Sequence, residues 1–297
     1  MVFNKITIDD KEELVCNYPM VSVITPVLNG VKYLESCIDS VLNQSYYNVE
    51  HIFVDGGSDD GTLNIIKNYM SKFPYRIRLL SEPDKGVGDA LNKGIKMANG
   101  EIIGWLDSDS HFERNTINIV ANYFKNNPGA YVVFGECCLV NENNEIMGKY
   151  PIKDFDLKEA ITNRCCIPFQ STFYKKKLFE RVGLFNDLGN CQEFWIRTGK
   201  CFTFYRIQSV LSNNRLDEEG IFFSKDVDKR KVLKNRLRED CNMCIQHGGS
   251  FLAPRVRRYY IFMLFDKLGL YSIIASVILK NRYRYCLIDK ILRALKI

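Results

Sequence analysis

Short apolar runs separated by amphipathic stretches dominate the first third of the chain. Val21-Ser-Val-Ile-Thr25, His51-Ile-Phe-Val54, Ile77-Arg-Leu-Leu80 and Ile102-Ile-Gly-Trp-Leu106 have the length and residue types of buried strands. After the first, Leu34, Cys37, Ile38, Val41 and Leu42 recur at helical spacing and predict an amphipathic helix to about Gln44. The second run leads through Asp55-Gly-Gly-Ser-Asp-Asp-Gly-Thr62 to another helix, which Ser58 or Asp59 suits as a cap. A third helix opens at Gly86-Val-Gly88 and stops at Asn99-Gly100. Strands alternating with helices predict an α/β fold, a doubly wound and mostly parallel sheet with right-handed crossovers.

Beyond residue 110 the pattern loosens. Residues 131–139 and 146–150 read as two strands around a polar turn, and 175–182 as a short helix stopped by Gly183. The last stretch alternates apolar and basic residues without a clean period.

The net charge of +6 lies in that last stretch. From Pro254 onward ten Lys/Arg face two acids, so the body of the chain is slightly acidic. Apolar, aromatic and basic residues together suit a helix in a membrane interface; a packed C-terminal helical hairpin is the alternative. A nucleic-acid reader would need a recognition motif beside the charge, and none accompanies it. The N-terminus does not read as a signal peptide, and Asp266 and Lys267 interrupt the best candidate for a membrane span. Eleven cysteines then point to a reducing compartment and free thiols. Cys241 and Cys244 have zinc-ligand spacing but no second pair, so helix packing is the preferred reading.

Candidate chemistry gathers where strands end. The fourth run drops directly into Asp107-Ser-Asp109. Carboxylates are expensive to bury, so the chain must reach solvent or a cation there. In parallel sheets the carboxyl ends of strands are where ligands bind. Two acids one residue apart suit a hard divalent cation that also binds phosphate oxygens, or form a polar turn. The loop at Asp55 lacks the ligand order of a calcium hand, and Gly86-Val-Gly88 lacks the third glycine of a dinucleotide fingerprint.

Four ordered segments resemble the motifs of family 2 glycosyltransferases. They are Val-Ser-Val-Ile-Thr-Pro-Val-Leu-Asn-Gly from Val21, Val-Asp-Gly-Gly-Ser-Asp-Asp-Gly-Thr from Val54, Glu-Pro-Asp-Lys-Gly-Val-Gly-Asp-Ala from Glu82, and Ile-Ile-Gly-Trp-Leu-Asp-Ser-Asp from Ile102. The resemblance implies the A-type fold, a nucleotide-diphosphate sugar donor and inversion at the anomeric carbon. It implies that Thr25, Pro26 and Asn29 line the nucleotide pocket and that Asp55 binds the base. Lys85, Gly86 and Asp89 would lie along the donor. Asp107 and Asp109 would hold Mn²⁺ or Mg²⁺ against the diphosphate, with Asp107 also counted to the donor site. Asp217 stands where relatives carry a metal-binding His, and would be a third ligand. On the acceptor side Gln170 and Trp195 are the expected contacts. Relatives usually place two acids before the aromatic at Phe194; Cys191 and Gln192 occupy such places here, which leaves Glu193 as the expected base.

The resulting domain plan is a catalytic domain at 1–220 and a helical, basic extension at 221–297. Its nucleotide-binding half spans about 20–110 and its acceptor half about 111–220. The expected activity is transfer of one hexosyl or N-acetylhexosaminyl unit, with a UDP-sugar as the favoured donor. The acceptor would be a glycan or a lipid-linked hydroxyl in cell-surface polysaccharide or glycolipid synthesis. Processive synthases carry Gln-x-x-Arg-Trp and several spans, neither of which is found. The enzyme would be cytoplasmic, held by 254–297 on the inner face of a membrane. A degenerate sugar-nucleotide binding protein is the alternative. A nucleotidyltransferase would show a glycine-rich, basic loop after the first strand, and Thr25-Pro-Val-Leu-Asn29 is not one.

Overall fold

The structure, a computed structural model, describes residues 18–163, 165–186, 190–215 and 229–268, without the side chains of 229, 230, 232 and 233. It divides into two units, 1–154 with 167–216, and 155–166 with 217–297. Residues 155–166, assigned above to the acceptor half, thus group with the helical unit.

In the first unit β1 (Val21–Val27), β2 (Val49–Asp55), β3 (Ile77–Ser81) and β4 (Ile102–Trp105) run parallel in the order β3-β2-β1-β4. The connecting helices are α1 (Leu34–Leu42), α2 (Thr62–Lys72) and α3 (Val87–Met97). β1, β2 and β4 are buried on both faces, which is why they read as continuous apolar runs and not as alternating ones. Val21 and Val23 belong to one cluster with Cys37, Val41, Ile117 and Phe124; Val27 and Phe53 belong to another with Leu34, Ile38 and Ile66.

The sheet continues through β5 (His111–Phe112), β6 (Val132–Val140), β7 (Ile146–Lys149), β8 (Thr172–Lys175) and β9 (Phe204–Arg215). Its full order is β3-β2-β1-β4-β8-β6-β9-β5, with β7 beside β6. Helix α4 (Thr116–Asn126) follows β5; α5 (Leu157–Thr162) lies in the helical unit; α6 (Leu178–Val182) and α7 (Cys191–Gly199) return to the first.

β8 is antiparallel to both β4 and β6, and so carries the sheet past its parallel half. The sequence reading had only an acceptor-lining segment and a helix in this region. Four residues bracketed by a 3-10 turn at Phe169–Ser171 and by three lysines give no period to detect. Gly104 pairs with Phe173 across that junction, and a Cβ on Gly104 would run into the Phe173 ring. At the opposite edge of β2, buried Glu50 accepts from Ser22 Oγ at 2.5 Å, from the Asn99 backbone at 2.6 Å and from Arg78 Nη1 at 3.2 Å. A buried carboxylate persists because every oxygen is matched.

In the helical unit α8 (Lys229–Gln246) and α9 (Pro254–Lys267) share a small core of Cys241, Cys244, Ala253 and Val256. The two cysteines with zinc spacing are therefore packing residues, as preferred. Arg255, 1% exposed, donates to Asp240 Oδ1 and to the Ala160 carbonyl, both at 2.8 Å. Arg258, 4% exposed, donates to Asn163 Oδ1. Two arginines counted toward a membrane-facing charge block are thus spent inside the unit, which corrects that part of the reading. Among the described residues no helix is long and apolar enough to cross a membrane. The remainder of the tail, 269–297, lies outside the described residues, as does Asp217.

Candidate active site at the carboxyl ends of the parallel strands

The parallel register brings the ends of β1, β2, β3 and β4 to one side. Val27 pairs with Asp55, Asp55 with Ser81, and Ile24 with Trp105. Three loops leave this edge, and side chains from each tie it to the next. Asn29, at φ 51°, accepts from the Asp59 backbone at 3.0 Å, while its own N–H donates to Ser58 Oγ at 2.8 Å. The Gly30 and Val31 amides donate to Thr62 Oγ1 and Asp60 Oδ2. Gly30 also lies so close to Ser108 that a Cβ would come within 2.9 Å of its hydroxyl. A side chain there would push the first loop off the Asp107-Ser-Asp109 turn.

Asp55 is fully buried. Its carboxylate accepts from the Gly57 and Ser58 amides at 3.1 and 3.2 Å and from Ser81 Oγ at 2.8 Å. Burial pushes its pKa up, but the bonds from Ser58, Ser81 and Gly57 outweigh this and hold it below the usual carboxylate value. It fixes the loop from which any base contact would be made. Thr25 is also fully buried; its hydroxyl is 2.8 Å from His51 Nε2 and 3.8 Å from Cys37 Sγ. That hydroxyl belongs to the core and not to a pocket lining, which corrects its assignment; Pro26 is partly exposed and Asn29 exposed. Lys85 and Gly86 are exposed at the head of α3, with Gly86 at φ 115°, a conformation that favours glycine. Asp89 accepts from the Lys85 amide at 3.2 Å and pairs with Lys93 Nζ at 3.1 Å. It therefore caps α3 and holds the Lys85-Gly86 turn.

Asp107 and Asp109, both partly buried, follow β4. Burial and the Asp109 charge push the Asp107 acid up to about 7, against a hydrogen bond from Gln170 Nε2 that pulls it down. A buried carboxyl whose proton affinity is raised by a neighbouring carboxylate marks a site short of positive charge, and a divalent cation supplies that charge. The donor set fits Mn²⁺ or Mg²⁺, which take carboxylate oxygen and keep positions for phosphate and water. Among the described residues no third carboxylate, imidazole or thiol completes a cluster.

Arg215, at the end of β9, was not singled out in the sequence. Its Nε donates to the Asp109 carbonyl at 3.0 Å, Nη1 to the Asn141 carbonyl at 2.5 Å and Nη2 to Asn144 Oδ1 at 2.5 Å. The guanidinium lies 3.9 Å from the centre of the Tyr33 ring. One side chain thus holds the Asp107-Ser-Asp109 turn, the β6–β7 turn and the first loop together. The only sequence signal was an Arg two residues before Asp217.

The acceptor-side assignments change. Gln170 is 7% exposed, and both ends of its amide are engaged, by Asp107 and by Asn214 Nδ2. Trp195 is 1% exposed; its Nε1 donates to Tyr174 Oη at 2.7 Å inside an aromatic core with Phe169 and Phe194. It is a core residue and offers no platform to a sugar. Glu193 lies in the first turn of α7, which Asn190 caps. Its Oε1 is 2.6 Å from Arg197 Nε and its Oε2 3.0 Å from Arg197 Nη2. Arg197 also donates to the Val182 and Leu184 carbonyls. This fork ties α7 to the chain after α6. With both oxygens engaged by one guanidinium, the geometry favours a structural ion pair over the expected role as base. Glu193→Gln should therefore lower the melting temperature by several degrees yet change steady-state turnover less than about threefold; a loss above about 100-fold would restore the base assignment.

A family model described as glycosyl transferase family 2 matches residues 22–183. The PGL/p-HBAD biosynthesis glycosyltransferase of Mycobacterium tuberculosis (strain ATCC 25177 / H37Ra) is 31% identical over 186 residues, 62% of this chain and 70% of that protein. The chondroitin synthase of Escherichia coli is 26% identical over 221 residues, which are 73% of this chain but 32% of the synthase. Among solved structures, S. aureus TarS 1–349 in complex with UDP-GlcNAc aligns with a TM-score of 0.58 at 18% identity, covering 83% of this chain and 73% of that one. The mannosyltransferase PcManGT from Pyrobaculum calidifontis, in complex with GDP-Man and Mn²⁺, aligns with a TM-score of 0.58 at 19% identity, over 94% of this chain and 81% of that one. At such identities the likeness establishes the fold, the A-type glycosyltransferase architecture.

Proposed function

The chain belongs to glycosyl transferase family 2, and from that premise we propose that it transfers a single sugar, with inversion, from a nucleotide-diphosphate sugar to a hydroxyl. The observation that carries this reading is the Asp107/Asp109 pair, held at the meeting of three interlocked loops. Asp107 and Asp109 would hold Mn²⁺ or Mg²⁺, with Asp217 proposed as a third ligand. The cation, when bound, neutralises the diphosphate and makes the nucleoside diphosphate a better leaving group. Asp55 and Asn29 preorganise the nucleotide side, and the Lys85-Gly86 turn borders the donor. A UDP-sugar is the favoured donor and the sugar a hexose or N-acetylhexosamine; complexes of structural relatives with UDP-GlcNAc and GDP-Man support the class. The proposed acceptor is a glycan or lipid-linked hydroxyl, in keeping with the glycolipid and polysaccharide enzymes among the relatives.

The test is incubation with a panel of nucleotide sugars and Mn²⁺, scored by release of nucleoside diphosphate. Slow, Mn²⁺-dependent hydrolysis of one donor supports transfer. A second reading, a sugar-nucleotide binding protein without transfer, draws on the Glu193–Arg197 fork and on Cys191 and Gln192 in the places of acids. It calls for tight donor binding with no release from any donor.

The tail is proposed to hold the protein on the inner face of a membrane. Tyr260, Leu264 and Leu268 are each more than half exposed and follow one another every four residues on or just beyond α9, with exposed Lys267 beside them. Arg255 and Arg258 are internal and six of the other eight Lys/Arg lie beyond Leu268, so truncation after Leu268 removes most of the attracting charge and leaves the exposed face of α9 in place. It should reduce binding to vesicles containing phosphatidylserine at least tenfold while donor binding persists; equal vesicle binding contradicts the proposal.

A further inference from the structure

The short helix that carries Gln170 is anchored from below. Trp105 Nε1 donates to the Phe169 carbonyl at 2.8 Å, and the two rings stack with centroids 4.5 Å apart. Gln170 is thereby set over the turn that follows β4. On β9, Ser212 and Asn214 share one face by strand alternation, and Asn213 turns to the other, where it donates to Glu113 Oε1 at 2.7 Å. The inner pair completes a chain of polar groups: Ser171 Oγ lies 2.6 Å from Ser212 Oγ, Ser212 Oγ 3.3 Å from Asn214 Oδ1, and Asn214 Nδ2 2.5 Å from Gln170 Oε1. The chain ends at Gln170 Nε2 on Asp107 Oδ2.

The direction of this chain is forced. A carboxylate that holds a cation is ionised and only accepts, so in that state the amide end facing Asp107 must be the NH₂. The carbonyl end then needs a donor, and Asn214 provides it. With each end of its amide engaged and only 7% of the residue exposed, Gln170 is turned inward and offers little surface to an acceptor sugar. A neutral donor suits the place. It fixes the Asp107 rotamer through one oxygen without adding a positive charge that would compete with a cation. Lys or Arg at the same position would neutralise the pair.

The structure assigns Gln170 as a positioning residue for the metal site, acting through Asp107 and itself oriented by Asn214. This inference rests on the metal reading of Asp107 and Asp109, and the test separates the two. Mn²⁺ is titrated into the full-length protein with UDP present, and free Mn²⁺ is read by electron paramagnetic resonance. Gln170→Met keeps the length and removes the donor; Asn214→Ala keeps the Gln170 NH₂ but frees its other end. The expected result is a Mn²⁺ dissociation constant weakened about 10–100-fold by Gln170→Met, the range typical of groups that orient metal ligands, and less by Asn214→Ala. In steady state the Mn²⁺ concentration for half-maximal rate should rise by the same factor, with kcat recovered at saturating Mn²⁺. A loss of packing alone would depress kcat without rescue by Mn²⁺. If Asp109→Asn weakens Mn²⁺ binding and both folded variants bind it like the native protein, the positioning role is overturned and the metal reading survives. If the native protein itself shows no Mn²⁺ binding that Asp109→Asn weakens, the metal reading fails and takes this assignment with it. A fall in kcat at saturating Mn²⁺ with unchanged Mn²⁺ affinity and an unchanged melting temperature would return Gln170 to the acceptor side.

Discussion

Asp109→Asn is expected to abolish Mn²⁺-dependent binding of the sugar nucleotide and to lower kcat/KM by about 100-fold or more, with the fold unchanged. The argument is local. Asp109 contributes one of the two carboxylates that converge after β4, and its backbone carbonyl is held by Arg215 independently of its side chain. The amide can keep the hydrogen bond that Ser110 Oγ now gives to Oδ1 at 2.9 Å, so the turn survives the change. What is lost is a negative charge, which an oxygen-binding divalent cation requires. Unaltered turnover in the variant, or native turnover in excess EDTA, would contradict the assignment.

The second large effect concerns stability. Asp107 has a folded pKa near 7 against 3.8 for the ordinary side chain. Its folded value is raised, so between these limits the folded state binds more protons than the unfolded chain. Stability of the metal-free protein should therefore fall as pH rises from about 4 to 7, through this group, and stay lowered above 7. Asp107→Asn removes the repelling charge and still offers an oxygen to Gln170. It should make the metal-free protein more stable than native at pH 8, by roughly 2–4 °C for each kcal/mol relieved, and similar to native at pH 4. The advantage should disappear when Mn²⁺ is added to the native protein. A variant that melts below native at pH 8 in EDTA would refute this account.

Much of the fold was plain in the sequence. Four parallel strands and their helices were legible because the doubly buried β1, β2 and β4 are apolar runs, β3 is a short apolar run at the edge, and amphipathic helices repeat at 3.6 residues. Asp107-Ser-Asp109 was legible because two acids directly after such a run have no packing rationale. β8 and β9 were not foreseen. β8 is four residues long and owes its place to Gly104 and Phe173, a contact made only across strands. β9 carries Arg206, Ser212, Asn214 and Arg215, polar groups whose partners come from β6, the 3-10 turn and the turn after β4.

Several residues expected to face a substrate turn out to be engaged inside the protein. Thr25, Gln170, Trp195 and Glu193 are polar or aromatic at places where function was expected. Each has its polar group satisfied inside the protein: Thr25 by His51, Trp195 by Tyr174, Glu193 by Arg197, and Gln170 by Asp107 and Asn214. Sequence gives the residue type but not the partner, and for these four the partner decides the role. Arg215 shows the converse. Its one local mark is its place two residues before Asp217, yet its three donors hold the site's loops in register.

The central claim is that Asp107 and Asp109 form a cation-dependent site for a sugar nucleotide, and calorimetric titration of UDP-GlcNAc and GDP-Man tests it most directly. Titrations of the native protein are run with Mn²⁺ and with EDTA, and repeated with Asp109→Asn. The account predicts saturable binding of at least one donor by the native protein with Mn²⁺, at least tenfold weaker binding in EDTA, and no Mn²⁺ enhancement in the variant. Donor binding of equal strength in Mn²⁺ and EDTA, or an undiminished Mn²⁺ enhancement in Asp109→Asn, would contradict it.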